Sequence, residues 1–250
     1  MISKQNNANI GNFLFRYRGE IPVLFLVVGL YVRYNHYEAG NIYDAYYDLA
    51  CLAVSLFGFG LRIHAVGYSP KGTSGRNTNK QLATNLNMTG LYSIVRHPLY
   101  LANFIIWLPI AMLSHSTLFL LAFLLFFIIF YWQIIKVEEA FLKKKFGRFY
   151  IDWREQTPAF IPNFLLYSKS YMAFNWKKVL RKEKNGIVAI FLTYFLFQIA
   201  HAIGSHQSIA LFIHENVFWI IMLTISIGYY FIMKMLMIRS AWIYAKKPTK

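Results

Sequence analysis

Residues 118–135 read LFLLAFLLFFIIFYWQII, eighteen consecutive residues without a charged side chain. A helix needs about 20 such residues to cross the hydrocarbon layer of a membrane, which is roughly 30 Å thick. Because backbone groups in lipid must be hydrogen-bonded within their own segment, we expect a helix here and not a strand. The stretch therefore predicts a membrane-spanning helix.

The composition of the whole chain extends this prediction to several spans. The 250 residues are 57% hydrophobic and only 14% charged, whereas a soluble domain carries about 25% charged residues. We predict an all-α, polytopic membrane helical bundle of about six transmembrane helices, of which the first and third are short for a full crossing. The predicted spans are Ile21–Tyr34, Leu49–Gly67, Leu99–Ser114, Leu118–Ile135, Gly186–Gly204 and Val217–Leu236.

The placement of basic residues predicts the orientation of these spans. All but two of the 26 Lys and Arg residues fall on one side of the six-span arrangement, and cytosolic loops carry such an excess. The exceptions, Arg33 and Arg62, lie near predicted helix ends, where long side chains can reach the interface. We therefore expect both termini to be cytosolic. This topology also explains the net charge of +16, so the expected partner is the bilayer and no nucleic acid.

Three further features limit the classes of site. The single cysteine, Cys51, excludes a disulfide framework and indicates no metal site. The longest hydrophilic stretch, Tyr68–Asn87, is rich in Gly, Ser, Thr and Asn and predicts an ordered but mobile cytosolic loop. After the fourth span the helix is expected to continue over Val137–Tyr150, and Pro158 and Pro162 to end regular structure.

A first run of polar residues lies at the mouth of the third predicted span, at Gly90–Asn103. Arg96 offers a planar, permanently charged donor for a carboxylate or phosphate. His97 can donate or accept a proton near neutral pH, and Pro98 suits the first turn of a helix. Taken alone, the run is also consistent with ordinary anchoring of a helix at the membrane interface.

A second run follows the fourth predicted span and begins with Glu138 and Glu139. Adjacent residues on a helix face different sides, so at least one of the two carboxylates could point into a cavity. The alternative is a solvated carboxylate paired with Lys143 at helical spacing.

Together the two runs resemble the integral-membrane methyltransferases that include isoprenylcysteine carboxyl methyltransferases and phospholipid methyltransferases. The family pattern is G-x-Y-x-x-x-R-H-P-x-Y, a hydrophobic hairpin, and then E-E-x-x-L, F-G-x-x-Y and P-x-x-x-P. The match covers Gly90–Pro162 in the same order and spacing. It is carried by Gly90, Tyr92, Arg96, His97, Pro98, Tyr100, Glu138, Glu139, Leu142, Phe146, Gly147, Tyr150, Pro158 and Pro162.

The resemblance implies S-adenosylmethionine bound at the cytosolic mouth and a lipidic acceptor that enters from the bilayer. The cofactor-binding residues it implies are Tyr92, His97, Pro98, Tyr100, Asn103, Glu138 and Glu139. The catalytic residues it implies are Arg96, His97, Tyr100 and Arg154, with no metal. Asn103 stands where many relatives have glycine. Gly58-Phe59-Gly60 is similar to a glycine element of phospholipid methyltransferases, although packing of helices through small residues explains it equally. Arg62 and His64 follow as further contributors.

The expected activity is O-methylation of the anionic head group, phosphate or carboxylate, of a lipid or lipid-linked substrate. Gln156 stands where the eukaryotic isoprenylcysteine branch has an arginine, so either Arg154 substitutes or the acceptor differs. The resemblance favours bacterial members that methylate lipid head groups, including lipid A 1-phosphate. It therefore implies a bacterial inner membrane. The alternatives are phospholipid N-methylation, an NADPH-dependent membrane reductase of similar fold, and a transporter or scaffold.

Two parts of the chain are expected. Residues 1–185 would form the methyltransferase core, with the motif segment 136–162 and a basic interfacial segment 163–185. Residues 186–250 would form a C-terminal transmembrane hairpin and a basic tail. Within the basic segment, Lys169–Asn185 predicts an amphipathic stretch lying on the membrane surface.

Overall fold

The computed structural model describes residues 10–36, 42–70, 81 and 83–245. These residues contain helices and no strand. A helical segment over residues 10–16 comes first. It is followed by α1 (Ile21–Asn35), α2 (Ile42–Tyr68), α3 (Leu91–Ile94), α4 (Pro98–Met112), α5 (Thr117–Phe146), α6 (Arg148–Gln156), a 3₁₀ turn (Phe164–Leu166), α7 (Trp176–Gly204), α8 (Ile209–Glu215) and α9 (Val217–Ala245).

The prediction of an all-α membrane bundle is confirmed. Helices α2, α5, α7 and α9 are long and apolar enough to cross a membrane. Helices α1 and α4 are apolar but have only 15 residues each, and they correspond to the two spans expected to be short. The cytosolic placement of the termini stays a prediction. Most of the expected loop Tyr68–Asn87, namely residues 71–80 and 82, lies outside the described residues.

Two apolar clusters hold the bundle together. In the first, α2 packs against α4 and α7, and the ring of Tyr194 is fully buried between them. The second follows α5, where Phe119, Phe123 and Phe127 recur every four residues and so share one face. Leu118 and Leu125 on the same helix are mostly exposed, which is the arrangement expected of a helix with one face toward lipid.

Gly58 allows α2 to approach α4 closely. A Cβ atom built on Gly58 would lie 2.9 Å from Ile105 Cγ2 and 3.0 Å from the backbone nitrogen of Ile106, whereas one on Gly60 meets nothing within 4 Å. We expect Gly58→Ala to lower the melting temperature of the detergent-solubilised protein, because overpacking costs about 1–3 kcal/mol. Gly60→Ala is the matched control and should melt at the wild-type temperature or slightly above it. Equal melting temperatures for the two variants would contradict the packing role.

The structure differs from the expected basic interfacial segment 163–185 in its second half. From Trp176 onward these residues are the first turns of α7, which continues without a break to Gly204. Lys178 and Glu183 are buried there, because the ammonium group donates to Ser69 and the carboxylate pairs with Arg62. Because of these partners, two charged residues are buried in a stretch whose basic composition is typical of a surface. The expected division between residues 185 and 186 consequently falls inside a helix.

Candidate active site

A cavity of about 570 Å³ lies between the chain before α1 and helices α2 to α6. Its volume is within the range of small-molecule sites, roughly 300–1,000 Å³. Both polar runs of the sequence contribute to its walls. The predicted site residues among its lining are Tyr92, Arg96, His97, Pro98, Tyr100, Asn103 and Glu138.

The wall formed by the first run is held by the chain that follows α6. Gly90 donates its backbone N–H to the Ser168 carbonyl at 2.8 Å, and Arg96 donates its own to the Pro158 carbonyl at 2.9 Å. Asn163 in turn donates to the Ile94 carbonyl at 2.9 Å. The two ends of the motif-bearing stretch are thereby paired through their backbones, which fixes where the side chains of α3 and the start of α4 point.

Glu138 presents its carboxylate to the cavity. Tyr100 donates its hydroxyl to Glu138 Oε2 at 2.7 Å, and the His97 ring stacks on Tyr100 at a centroid distance of 5.6 Å. The Glu138 side chain remains 32% exposed, so it can also receive a ligand. Burial and the nearby Glu138 carboxylate raise the pKa of Tyr92 well above its usual range, and the phenol therefore stays a hydrogen-bond donor at neutral pH.

Glu139 lies on a different side of α5 from Glu138 and contacts three partners. Its Oε1 lies 3.1 Å from His97 Nε2 and 2.9 Å from Arg96 Nη1, and its Oε2 lies 3.2 Å from Arg154 Nε. A carboxylate can only accept, so His97 Nε2 carries the proton in this contact. Gly147, with φ at 57°, separates α5 from α6 and lets Arg154 turn back toward Glu139.

A second polar layer lies further along the same helices. Arg62 on α2 donates from Nε to Glu183 Oε2 and from Nη1 to Asn103 Oδ1, both at 2.7 Å. Asn103 donates from Nδ2 to the Tyr131 hydroxyl at 3.1 Å. These contacts tie α2, α4, α5 and α7 together around the cavity. Arg62, Asn103 and Tyr131 line the cavity, whereas Glu183 does not.

The cavity also presents hydrogen-bond donors that lack acceptors among the described residues. Gln81 Nε2, Arg96 Nε and Trp153 Nε1 belong to lining residues, are buried, and form no hydrogen bond. Arg18, Arg62 and Arg96 contribute positive charge to the described lining and Glu138 contributes negative charge, while Glu183 and Glu139 pair with Arg62 and Arg96 from outside the lining. Buried donors call for acceptors, so the donor set suits a ligand with anionic oxygens.

The structure places two of the predicted site residues outside the lining, Glu139 and Arg154. Arg154 lies instead along an open groove of about 780 Å³ that also includes Gln156, and Arg96 borders both spaces. Sequence reasoning missed Arg18 and Glu183. Glu183 is the only acid among the basic residues 177–184, and this isolation is the signal that could have marked it.

Comparison with known proteins adds an independent finding. Residues 49–148 match the family model described as phospholipid methyltransferase. The chain is also 30% identical over 161 residues to the cobalt-zinc-cadmium resistance protein CzcN of Cupriavidus metallidurans, an alignment that covers 63% of this chain and 69% of that relative. The chain belongs to the phospholipid methyltransferase family.

A second relative extends the comparison. The nickel-cobalt-cadmium resistance protein NccN of Alcaligenes xylosoxydans xylosoxydans is 27% identical over 161 residues, which is 63% of this chain and 70% of that protein. No solved structure matches the chain. Although both names refer to metal ions, no group of three or more His, Cys, Asp or Glu side chains within the described residues could hold a metal.

The membership identifies the chain as an integral-membrane methyltransferase. The matched region, residues 49–148, begins within α2 and ends at the first residue of α6. It therefore contains every predicted site residue except Arg154, and the NADPH-dependent reductase considered as an alternative from the sequence is set aside.

Proposed function

We propose that this phospholipid methyltransferase family member uses S-adenosylmethionine to methylate an anionic oxygen in the head group of a membrane lipid. The observation that carries the proposal is the cavity, because its described lining combines both polar runs with three arginines and with buried donors that have no acceptor. A phosphate or carboxylate head group satisfies the buried donors of Gln81, Arg96 and Trp153.

The residues at the shallow end of the cavity fit the cofactor. Glu138 can accept from the ammonium group or the ribose hydroxyls of S-adenosylmethionine, and Tyr100 holds that carboxylate in place. Tyr92 and His97 offer flat ring surfaces beside it. Glu139, which is engaged by Arg96, His97 and Arg154, would act by positioning Arg96 and His97 and not by holding the cofactor itself.

The reaction needs alignment and little acid–base help. S-adenosylmethionine, when bound, would supply an electrophilic methyl group on its sulfonium sulfur. Attack of an anionic head-group oxygen on that methyl carbon, as the carbon–sulfur bond breaks, would give a methyl ester and S-adenosylhomocysteine. An ionised phosphate or carboxylate is already a nucleophile, so no residue has to remove a proton. Arg96 would hold the head group, and the surrounding rings would exclude water, so catalysis would come from a near-attack geometry.

N-methylation of an amino head group is the second candidate, because the family description names phospholipids without naming the methylated atom. It requires a neutral amine and therefore a base, for which His97 and Glu138 are the available groups. The lining favours an anionic head group instead, because its orphaned buried groups are donors and the three lining arginines add positive charge, of which Glu139 and Glu183 offset the part from Arg96 and Arg62.

The test is mass spectrometry of membrane lipids from cells with and without the protein. We expect one lipid class to gain a single methyl group, and tritium from labelled S-adenosylmethionine to appear in that class. Release of the label by mild alkali indicates a carboxylate methyl ester. Retention of the label calls for fragmentation of the head group, which separates a methyl phosphate from an N-methyl product. An N-methyl product, or no methylated lipid at all, would overturn the proposal.

The names of the two relatives add a second readout to the same experiment. A methyl ester removes negative charge from a head group and so weakens its attraction for divalent cations. Cells that carry the protein should consequently tolerate cadmium better than cells without it, in step with the amount of methylated lipid. If cells contain methylated lipid but their cadmium tolerance is unchanged, the effect on tolerance is refuted while the methyltransferase activity stands.

A further inference from the structure

Arg62 is held in one orientation by two neighbours from different helices. Nε is bound to Glu183 on α7 and Nη1 to Asn103 on α4. Nη2 forms no hydrogen bond with any residue in the described part of the chain. The Arg62 side chain lines the cavity and is 22% exposed, whereas Glu183 is 4% exposed and lies behind it. The guanidinium is thus fixed on two sides while its third nitrogen remains available to a ligand.

We infer that Arg62 is an acceptor-binding residue, and that Glu183 is the positioning residue that aims its Nη2 group at the anionic head group. The inference rests on the proposed function and deepens it, because it names the residue that selects an anionic acceptor. It also gives α7 a role at the site, because α7 carries the carboxylate that holds Arg62 from behind the cavity wall.

The depth of Arg62 assigns it to the acceptor and not to the cofactor. Its indirect partner Tyr131 precedes Glu138 by seven residues on α5, which is about 10 Å along a helix. Arg62 also lies six residues before the end of α2 at Tyr68, about 9 Å along that helix. The Glu138 and Tyr100 layer and the Arg62 layer are therefore neighbouring levels of one cavity, which meet where the Tyr100 and Tyr131 rings lie 4.9 Å apart. A cofactor bound at Glu138 leaves the deeper level to a head group that enters from the bilayer.

The test compares Glu183→Gln and Arg62→Lys with wild-type protein. Gln keeps the shape of Glu183 but not its charge, and Lys cannot donate in two fixed directions as Arg62 does. The surface pair Arg148–Asp152, with side chains 83% and 53% exposed, supplies the matched controls Asp152→Asn and Arg148→Lys. The substrate is the anionic fraction of the host lipid extract, diluted into phosphatidylcholine vesicles, and the cofactor site is measured by calorimetry with S-adenosylhomocysteine.

For both site variants we expect the apparent KM for lipid to rise roughly tenfold to a hundredfold, the value of one charged hydrogen bond. The S-adenosylhomocysteine Kd should stay at the wild-type value, which also shows that the variants are folded. The control variants should match wild type in both measurements. Provided that the wild-type protein is active, either of two results would overturn the inference: a KM for lipid that is unchanged in the variants, or an S-adenosylhomocysteine Kd that rises together with KM. If the wild-type protein methylates no lipid, the proposed function and this inference fail together.

Discussion

Glu138→Ala is expected to weaken the binding of S-adenosylhomocysteine by roughly tenfold to a hundredfold or more. The Glu138 carboxylate faces the cavity and is held there by the Tyr100 hydroxyl at 2.7 Å. Among the described lining residues it is the only carboxylate, so no second charged acceptor there can replace it as a partner for the ammonium group of the cofactor. Removing a hydrogen bond to a charged group costs about 1.5–3 kcal/mol, which weakens binding roughly tenfold to a hundredfold for each such bond.

Calorimetric titration of the purified variant with S-adenosylhomocysteine measures this effect. Tyr100→Phe should give an intermediate loss, because Glu138 keeps its charge but loses the hydroxyl that orients it. Asp152→Ala is the control, since it removes a carboxylate from the surface of α6. Binding by the Glu138→Ala variant with wild-type affinity would refute the assignment of Glu138 to the cofactor.

The fold was largely predictable because its cause is local. Unbroken apolar blocks such as residues 118–135 leave a membrane helix as the only arrangement that satisfies the backbone, and the ends of α1 and α4 lie within about two residues of the predicted bounds. The start of α7 was missed for a different reason. Its first ten residues carry a surface-like basic pattern. Glu183 and Lys178 are compatible with burial only because they pair with Arg62 on α2 and with Ser69 directly after it.

That the candidate residues lie close together was predictable from the sequence, but their arrangement was not. Arg96, His97, Tyr100 and the two acids, which the residue pattern grouped, lie together in space. The sequence could not rank Glu138 against Glu139, because adjacent helix positions differ by about 100° and the direction of the cavity is a tertiary property. Arg18 was missed because the chain before α1 reaches the cavity through contacts that no local pattern encodes.

Glu139→Ala is expected to destabilise the protein far more than Glu138→Ala. Glu139 is 13% exposed and faces Arg96 and His97, which are 12% and 6% exposed. Removing the carboxylate leaves the Arg96 charge buried without its counter-charge, and such a change costs about 3–5 kcal/mol. The melting temperature in detergent should fall by several degrees or more, and methyl transfer should fall as well because Arg96 and His97 lose their fixed orientation.

A double variant separates the charge from the shape of this cluster. If the cost arises from an uncompensated buried charge, Glu139→Ala combined with Arg96→Met should melt above Glu139→Ala alone, because no unpaired guanidinium remains. Arg154→Ala should have little effect on stability, since Arg154 is 48% exposed and partly exposed pairs contribute only about 0–1 kcal/mol. A double variant that melts below both single variants would show that Glu139 and Arg96 act through packing instead. Glu139 would then have no electrostatic role in holding the first polar run against α5.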